Sequence, residues 1–113
     1  MKYMLLIYGN ETTKRTPEEG MAMVKEYVAV SDSLRANGQM VAAERLQATS
    51  TATAVRVRDG KTLATDGPFA ETKEQLAGYY LIEAKDLDDA MAIAARVPSV
   101  RMGSVEIRPI IEM

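Results

Sequence analysis

The sequence predicts an α+β domain in which strands and helices follow one another as βαββαβ, with a β-hairpin inserted after the second strand. Three observations carry this. Short apolar runs bounded by turn residues recur at 3–8, 39–46, 79–84 and 105–110. Two capped amphipathic segments lie between them, at 17–37 and 86–97. Asp59-Gly60 separates two alternating arms, the strongest short-range hairpin signal. At 113 residues, 47% of them hydrophobic, the chain suits a single domain over 1–113 with no need of covalent staples.

The first strand is Tyr3-Met4-Leu5-Leu6-Ile7-Tyr8, closed by Gly9-Asn10. It is too short for a signal-peptide core or a membrane span, so the expectation is a cytoplasmic chain with no membrane partner. Thr16-Pro17-Glu18-Glu19 then supplies an N-cap hydroxyl, Pro at the first helical position and Glu at the third. Val24, Tyr27, Val28, Ser31 and Leu34 follow at helical spacing, and Asn37-Gly38 stops the helix. The second strand, 39–46, leads through Thr49-Ser50-Thr51 into Val55-Arg56-Val57-Arg58, the outgoing arm of the hairpin. Its return arm is 61–65; Asp66-Gly67-Pro68-Phe69 breaks the pattern, and 70–77 reads as charged and irregular.

Gly78 opens the strand Tyr79-Tyr80-Leu81-Ile82-Glu83-Ala84. Asp86 caps the second helix, Asp88 and Asp89 complement its dipole, and Pro98 ends it. Val105 to Ile110 closes the chain, with Pro109 suited to a strand edge or end. Without the hairpin, this order is the split βαβ of ferredoxin-like folds, two helices covering one face of an antiparallel sheet. The other face should then be polar, yet Met4, Leu6 and Tyr8 are as apolar as Tyr3, Leu5 and Ile7. The expectation is a homodimer whose sheets pack face to face, a dimeric α/β barrel with a cleft at its seam.

Composition excludes several functions. With no Cys, His or Trp, the chain forms no disulfide and supplies no thiol nucleophile, His triad or His-ligated metal site. Fourteen Lys+Arg against 16 Asp+Glu argue against a phosphate-backbone partner, so no nucleic acid is expected. The glycines lack dinucleotide or phosphate-loop spacing and the carboxylates lack cation-ligand spacing, so neither a cofactor nor a metal is expected.

Asp66-Gly67-Pro68-Phe69-Ala70-Glu71-Thr72-Lys73-Glu74-Gln75-Leu76, running into Gly78-Tyr79-Tyr80, resembles the signature of the YCII-related, DGPF-domain family. The likeness extends to Lys2 to Tyr8, to Glu44-Arg45-Leu46, to the aspartate-rich second helix and to Val105-Glu106-Ile107-Arg108-Pro109. It implies a bacterial protein and a dimeric α+β barrel on a ferredoxin-like protomer. It also implies a link to extracytoplasmic-function sigma factors, beside which members are often encoded. A His–Asp pair proposed as catalytic in the wider group does not carry over, because this chain has no His.

The candidate site residues each carry two readings. Asp66 is a general base if it lies in a desolvating cleft, or a turn residue hydrogen-bonded to local backbone. Glu71, Lys73 and Glu74 hold an anionic or carbonyl ligand, or form a solvated loop. Arg45 offers a planar fork to a carboxylate, or pairs with Glu44 at a strand end; as neighbours in a strand, only one of them faces a given cavity. Phe69 and the hydroxyls of Tyr8, Tyr79 and Tyr80 line a cleft, or serve packing. Arg56, Arg58 and Lys61 form a solvated hairpin face. The leading expectation is a homodimer that binds a small metabolite near Asp66, with cofactor-free isomerase- or lyase-like proton chemistry. The alternative is a non-catalytic accessory or regulatory module.

Overall fold

The computed structural model describes every residue from Met1 to Met113. Its elements are β1 (Lys2–Gly9), α1 (Pro17–Ala36), β2 (Met40–Arg45), β3 (Thr53–Arg58), β4 (Lys61–Asp66), β5 (Gln75–Glu83), α2 (Leu87–Ala94) and β6 (Ser104–Pro109). Short 3-10 turns occupy Thr49–Thr51 and Pro98–Arg101. Four strands form one antiparallel sheet in the order β2-β5-β1-β6, and β3 pairs with β4 in a separate two-stranded sheet.

Local chemistry sets most boundaries. At the start of α1, Thr16 Oγ1 accepts from the Glu19 amide at 3.1 Å, while Glu19 Oε1 accepts from the Thr16 amide at 3.2 Å. This reciprocal pair satisfies two of the helix's orphan donors. Asp86 caps α2 with a single bond, its carboxylate accepting from the Asp89 amide at 2.9 Å. The α2 helix stops at Ala94, three residues before the predicted end, because Val97 is held extended ahead of Pro98. Asp59 and Gly60 both take positive φ, 52° and 73°, as the tight hairpin turn requires.

Two expectations needed correction. Residues 75–77 are not irregular: Gln75 pairs with Gly9 and Leu76 with Tyr8, so β5 begins there on the strength of a distant partner. Val24 and Val28 do not lie on a buried stripe. The row that α1 turns inward is Gly20, Met23, Tyr27, Val30 and Leu34, half-buried or buried, while those two valines stay half-exposed. The cause is rotation: at about 3.6 residues per turn, positions 24 and 28 fall on the flank of that row.

One face of the sheet makes the core. Tyr3, Leu5 and Ile7 of β1 and Tyr80 and Ile82 of β5 pack with Leu34, Ala90, Ile93, Ala94 and Val97. The strand register puts a second set of side chains on the opposite face, where Met4 lies beside Leu81 and Arg108, and Leu6 beside Tyr79 and Glu106. Glu44 lies beside Tyr79 on the same face. This open face is therefore apolar at its centre, with Glu44 at one margin and the Glu106–Arg108 ion pair (2.6 Å) at the other.

The β3–β4 arm stands apart from both layers. Every residue in it is exposed except the half-buried Ala54. Its register sorts Thr53, Val55, Val57, Thr62, Ala64 and Asp66 onto one face, and Ala54, Arg56, Arg58, Lys61, Leu63 and Thr65 onto the other. The molecule is accordingly flat, 48 × 44 × 19 Å, with a radius of gyration of 16.1 Å against roughly 13 Å for a compact domain of this length. Its accessible surface is 8193 Å², against roughly 6,100 Å² for a compact monomer of the same mass.

Candidate functional site

Where the arm leaves the body, the chain encloses an open cleft of about 920 Å³. Four segments line it: the end of β1 with Tyr8, residues 46–56 running through the first 3-10 turn into β3, the 67–72 connection, and the start of β5 with Gln75 and Leu76. Its apolar wall is Tyr8, Leu46, Val55, Phe69 and Leu76; its polar groups are the hydroxyls of Thr49, Thr51, Thr53 and Thr72 and the amides of Gln47 and Gln75. Arg56 is the one permanently charged side chain in the lining. A shallower depression of about 250 Å³ adjoins it, sharing Thr49, Pro68 and Gln75 and adding Glu71. The larger volume is within the range that holds small organic molecules, roughly 300–1,000 Å³.

The cleft is braced by a polar relay across the chain. Both carboxylate oxygens of Glu11 accept from Thr49, one from its amide and one from its hydroxyl, each at 2.8 Å. The Glu11 amide donates to Gln75 Oε1 at 2.9 Å, and Gln75 Nε2 donates to the Thr72 carbonyl at 2.6 Å. Thus one carboxylate and one amide tie the β1–α1 loop, the 3-10 turn and the 67–74 connection into a single rim. At the far wall, Gly67 adopts φ 99°, a conformation open only to glycine, and its amide donates to the Ala52 carbonyl at 2.7 Å. That bond sets the angle at which Pro68 and Phe69 enter the cleft.

The predicted site residues divide among three places. Phe69 lines the cleft with its ring 81% exposed, and Glu71 borders the adjoining depression. Asp66 is exposed at the last position of β4, one residue before the lining, and its carboxylate makes no hydrogen bond within the chain. Lys73 is exposed on the connection to β5. Glu44 and Tyr79 meet on the open sheet face, whereas Arg45 pairs in register with Gly78 and so takes the opposite side of the outer strand. The structure therefore brings Phe69 and Glu71 to one region and Glu44 and Tyr79 to another.

Three residues that hold the rim, Glu11, Thr49 and Gln75, were not singled out from the sequence. Glu11 and Thr49 lie 38 positions apart and Glu11 and Gln75 lie 64 apart, so no local pattern joins them. Of the tyrosines, Tyr80 sits in the core, where burial pushes its hydroxyl pKa above 10.0 despite a 3.4 Å contact with Ser31 Oγ. No three carboxylates gather in a way that would hold a metal ion, and no helix is long and apolar enough to cross a membrane.

Comparison with known proteins covers the whole length of the chain. The YCII-related domain matches residues 1–113. An uncharacterized protein of Rhizobium meliloti (strain 1021) is 37% identical over 114 residues, covering 97% of this chain and 92% of the relative.

Proposed function

The chain belongs to the YCII-related family, and on that footing we propose that it is a homodimer that binds a small, partly apolar metabolite in the cleft beside Phe69. The observation that carries the reading is the composition of that cleft: an aromatic and aliphatic wall, a row of hydroxyls and amides, and one cation, Arg56. Apolar walls supply most of the binding free energy of a small ligand, and a few placed polar groups orient it. A single guanidinium selects for a ligand with one negative charge or a strongly polar oxygen.

The fold supports the dimer. With the arm set aside, the order β2-β5-β1-β6 is the one a ferredoxin-like split βαβ produces. Its helices lie on one face and leave Met4, Leu6, Tyr79 and Leu81 without a layer above them. A second copy laid sheet to sheet covers those side chains and completes a barrel-like pair.

In its catalytic form this reading gives Asp66 the role of base, acting from the rim just before Gly67. In its non-catalytic form the same cleft senses a ligand, as an accessory module of a sigma-factor system would. A lining whose one charge is cationic favours the second form. The test uses 8-anilino-1-naphthalenesulfonate, an anionic aromatic probe. Wild type should bind it with fluorescence enhancement, and Arg56→Ala and Phe69→Ala should each weaken binding by about tenfold, the first through loss of a charge-assisted contact and the second through loss of the aromatic wall. Equal binding by wild type and both variants would remove the cleft from consideration.

A further inference from the structure

The cleft has a floor and two sides but lacks a roof. Its apolar lining is largely in water: Phe69 is 81% exposed, Val55 62% and Leu46 49%. Sites for small molecules bury roughly 70–90% of the ligand's surface. Walls this exposed fall short of that, although the volume is ample. Beyond the cleft, the arm carries Val57 at 58% exposure on the same face as Val55. An isolated two-stranded hairpin is at best marginally stable in water, so an arm with an uncovered β-branched face needs a surface to lie on.

These surfaces are continuous. Tyr8 follows Met4 and Leu6 along the open side of β1 and also lines the cleft, and its partner Leu76 does the same from β5. Val55 carries the apolar strip from the cleft onto the arm. One apolar surface thus runs from the open sheet face, through the cleft, to Val57.

We infer that the occupant of this surface is a second copy of the chain, and that the partner roofs the cleft, so that the binding site is complete only in the dimer. The inference rests on the homodimer proposed above and adds where the arm and the cleft go within it. The area left to cover fits a second copy. The accessible surface exceeds that of a compact monomer by about 2,000 Å², more than twice the roughly 800 Å² that each side of a stable protein interface buries. In a two-fold pair the face of each arm that carries Thr53, Val55 and Val57 lies on the other copy's body, so the same contact is made twice.

Hydrogen exchange of the wild-type protein tests this, read by mass spectrometry at concentrations that sedimentation shows to be mainly monomeric and mainly dimeric. Amides of residues 53–66 should exchange at least about tenfold more slowly in the dimer, because opening a covered hairpin requires dissociation first. The sulfonated naphthalene probe should bind in proportion to the dimer fraction. Val57→Asp, which alters a solvent-facing side chain in the single copy, should weaken dimerisation by tenfold or more while leaving the monomer folded. A dimer whose arm amides exchange as fast as the monomer's would overturn the inference and leave the homodimer standing. Equal probe binding per chain in monomer and dimer would show that the cleft needs no roof, with the same consequence. A protein that stays monomeric throughout would remove both.

Discussion

Gly78→Ala should cost this fold stability, and the amount follows from one distance. Gly78 is buried on β5, between β2 and β1, and pairs with both Arg45 and Ile7. A Cβ added there would lie 2.6 Å from the Glu44 carbonyl oxygen and 3.3 Å from the Arg45 Cα. Carbon and oxygen normally approach to about 3.3 Å, so roughly 0.7 Å must be found by moving backbone against backbone. The obstacle is a strand in a hydrogen-bonded ladder, which cannot swing aside as a side chain can. Overpacking of this kind costs about 1–3 kcal/mol, and the lower entropy of unfolded Ala returns about 0.4–1 kcal/mol. The net loss is about 1–2 kcal/mol, which for a chain of this size lowers Tm by roughly 4–8 °C. Thermal unfolding followed by circular dichroism, with urea titration to check that the m-value holds, reads the effect. An unchanged or raised Tm would refute the close approach of β2 and β5 at this point. Gly78 also separates Tyr79 from Arg45, so the same variant tests what holds the Glu44–Tyr79 pair in place.

Leu6→Glu puts a carboxylate at the centre of the open sheet face, which a sheet-to-sheet pair would bury; dimer dissociation should rise by about two orders of magnitude, as for an unpaired buried charge. Sedimentation across concentrations checks this, and a dimer as tight as wild type would place the interface elsewhere. Tyr80→Phe tests the buried hydroxyl. Because the folded-state pKa lies above 10.0, the unfolded chain ionises first, so this residue's contribution is complete below pH 10.0 and lost as pH rises through the folded value. The alkaline fall in urea stability should be shallower in the variant, and identical slopes would mean that Tyr80 is solvated. Asp66→Asn should change stability by less than about 0.5 kcal/mol, since the side chain is exposed and has no hydrogen-bond partner in the chain. A drop of several degrees in Tm would instead make Asp66 a structural turn residue.

What was legible in the sequence follows the range of the interaction that enforces it. The capping box at Thr16 and Glu19 spans three residues, the Asp59-Gly60 turn spans two, and both are as predicted. The start of β5 was missed because nothing in Gln75-Leu76-Ala77 signals a strand; the register with Gly9 and Tyr8 imposes it from across the fold. Val24 and Val28 satisfied helical periodicity, yet in a helix with apolar residues on more than one side periodicity leaves open which row faces the sheet, here Met23, Tyr27, Val30 and Leu34. The site shows the same division. The break at 66–69 drew attention to Asp66 as a titratable group, but what the structure uses at the cleft is the neighbouring backbone and ring: the positive φ of Gly67 and the aromatic face of Phe69. The Glu11–Thr49–Gln75 rim had no local signal, because its members come from three separate connections.

The apolar character of both faces of β1 was the observation that a single copy of this fold could not absorb, and the structure sharpens it. Only 13 of 113 residues are fully buried, and none of them carries a charge. A core this small leaves little margin against the conformational entropy of ordering the chain, including an arm that touches the body only at its base. Selection for the stability of an isolated monomer would place charge or hydroxyls at Met4, Leu6, Val55 and Val57, since solvent-facing sites pay nothing for polarity and risk aggregation without it. The chain instead keeps β-branched and aliphatic side chains at these positions, and it keeps them contiguous with the cleft. On the proposed reading, stability, association and ligand binding draw on the same surface. A ligand held under the partner's roof would tighten the dimer by the same factor by which the dimer tightens the ligand.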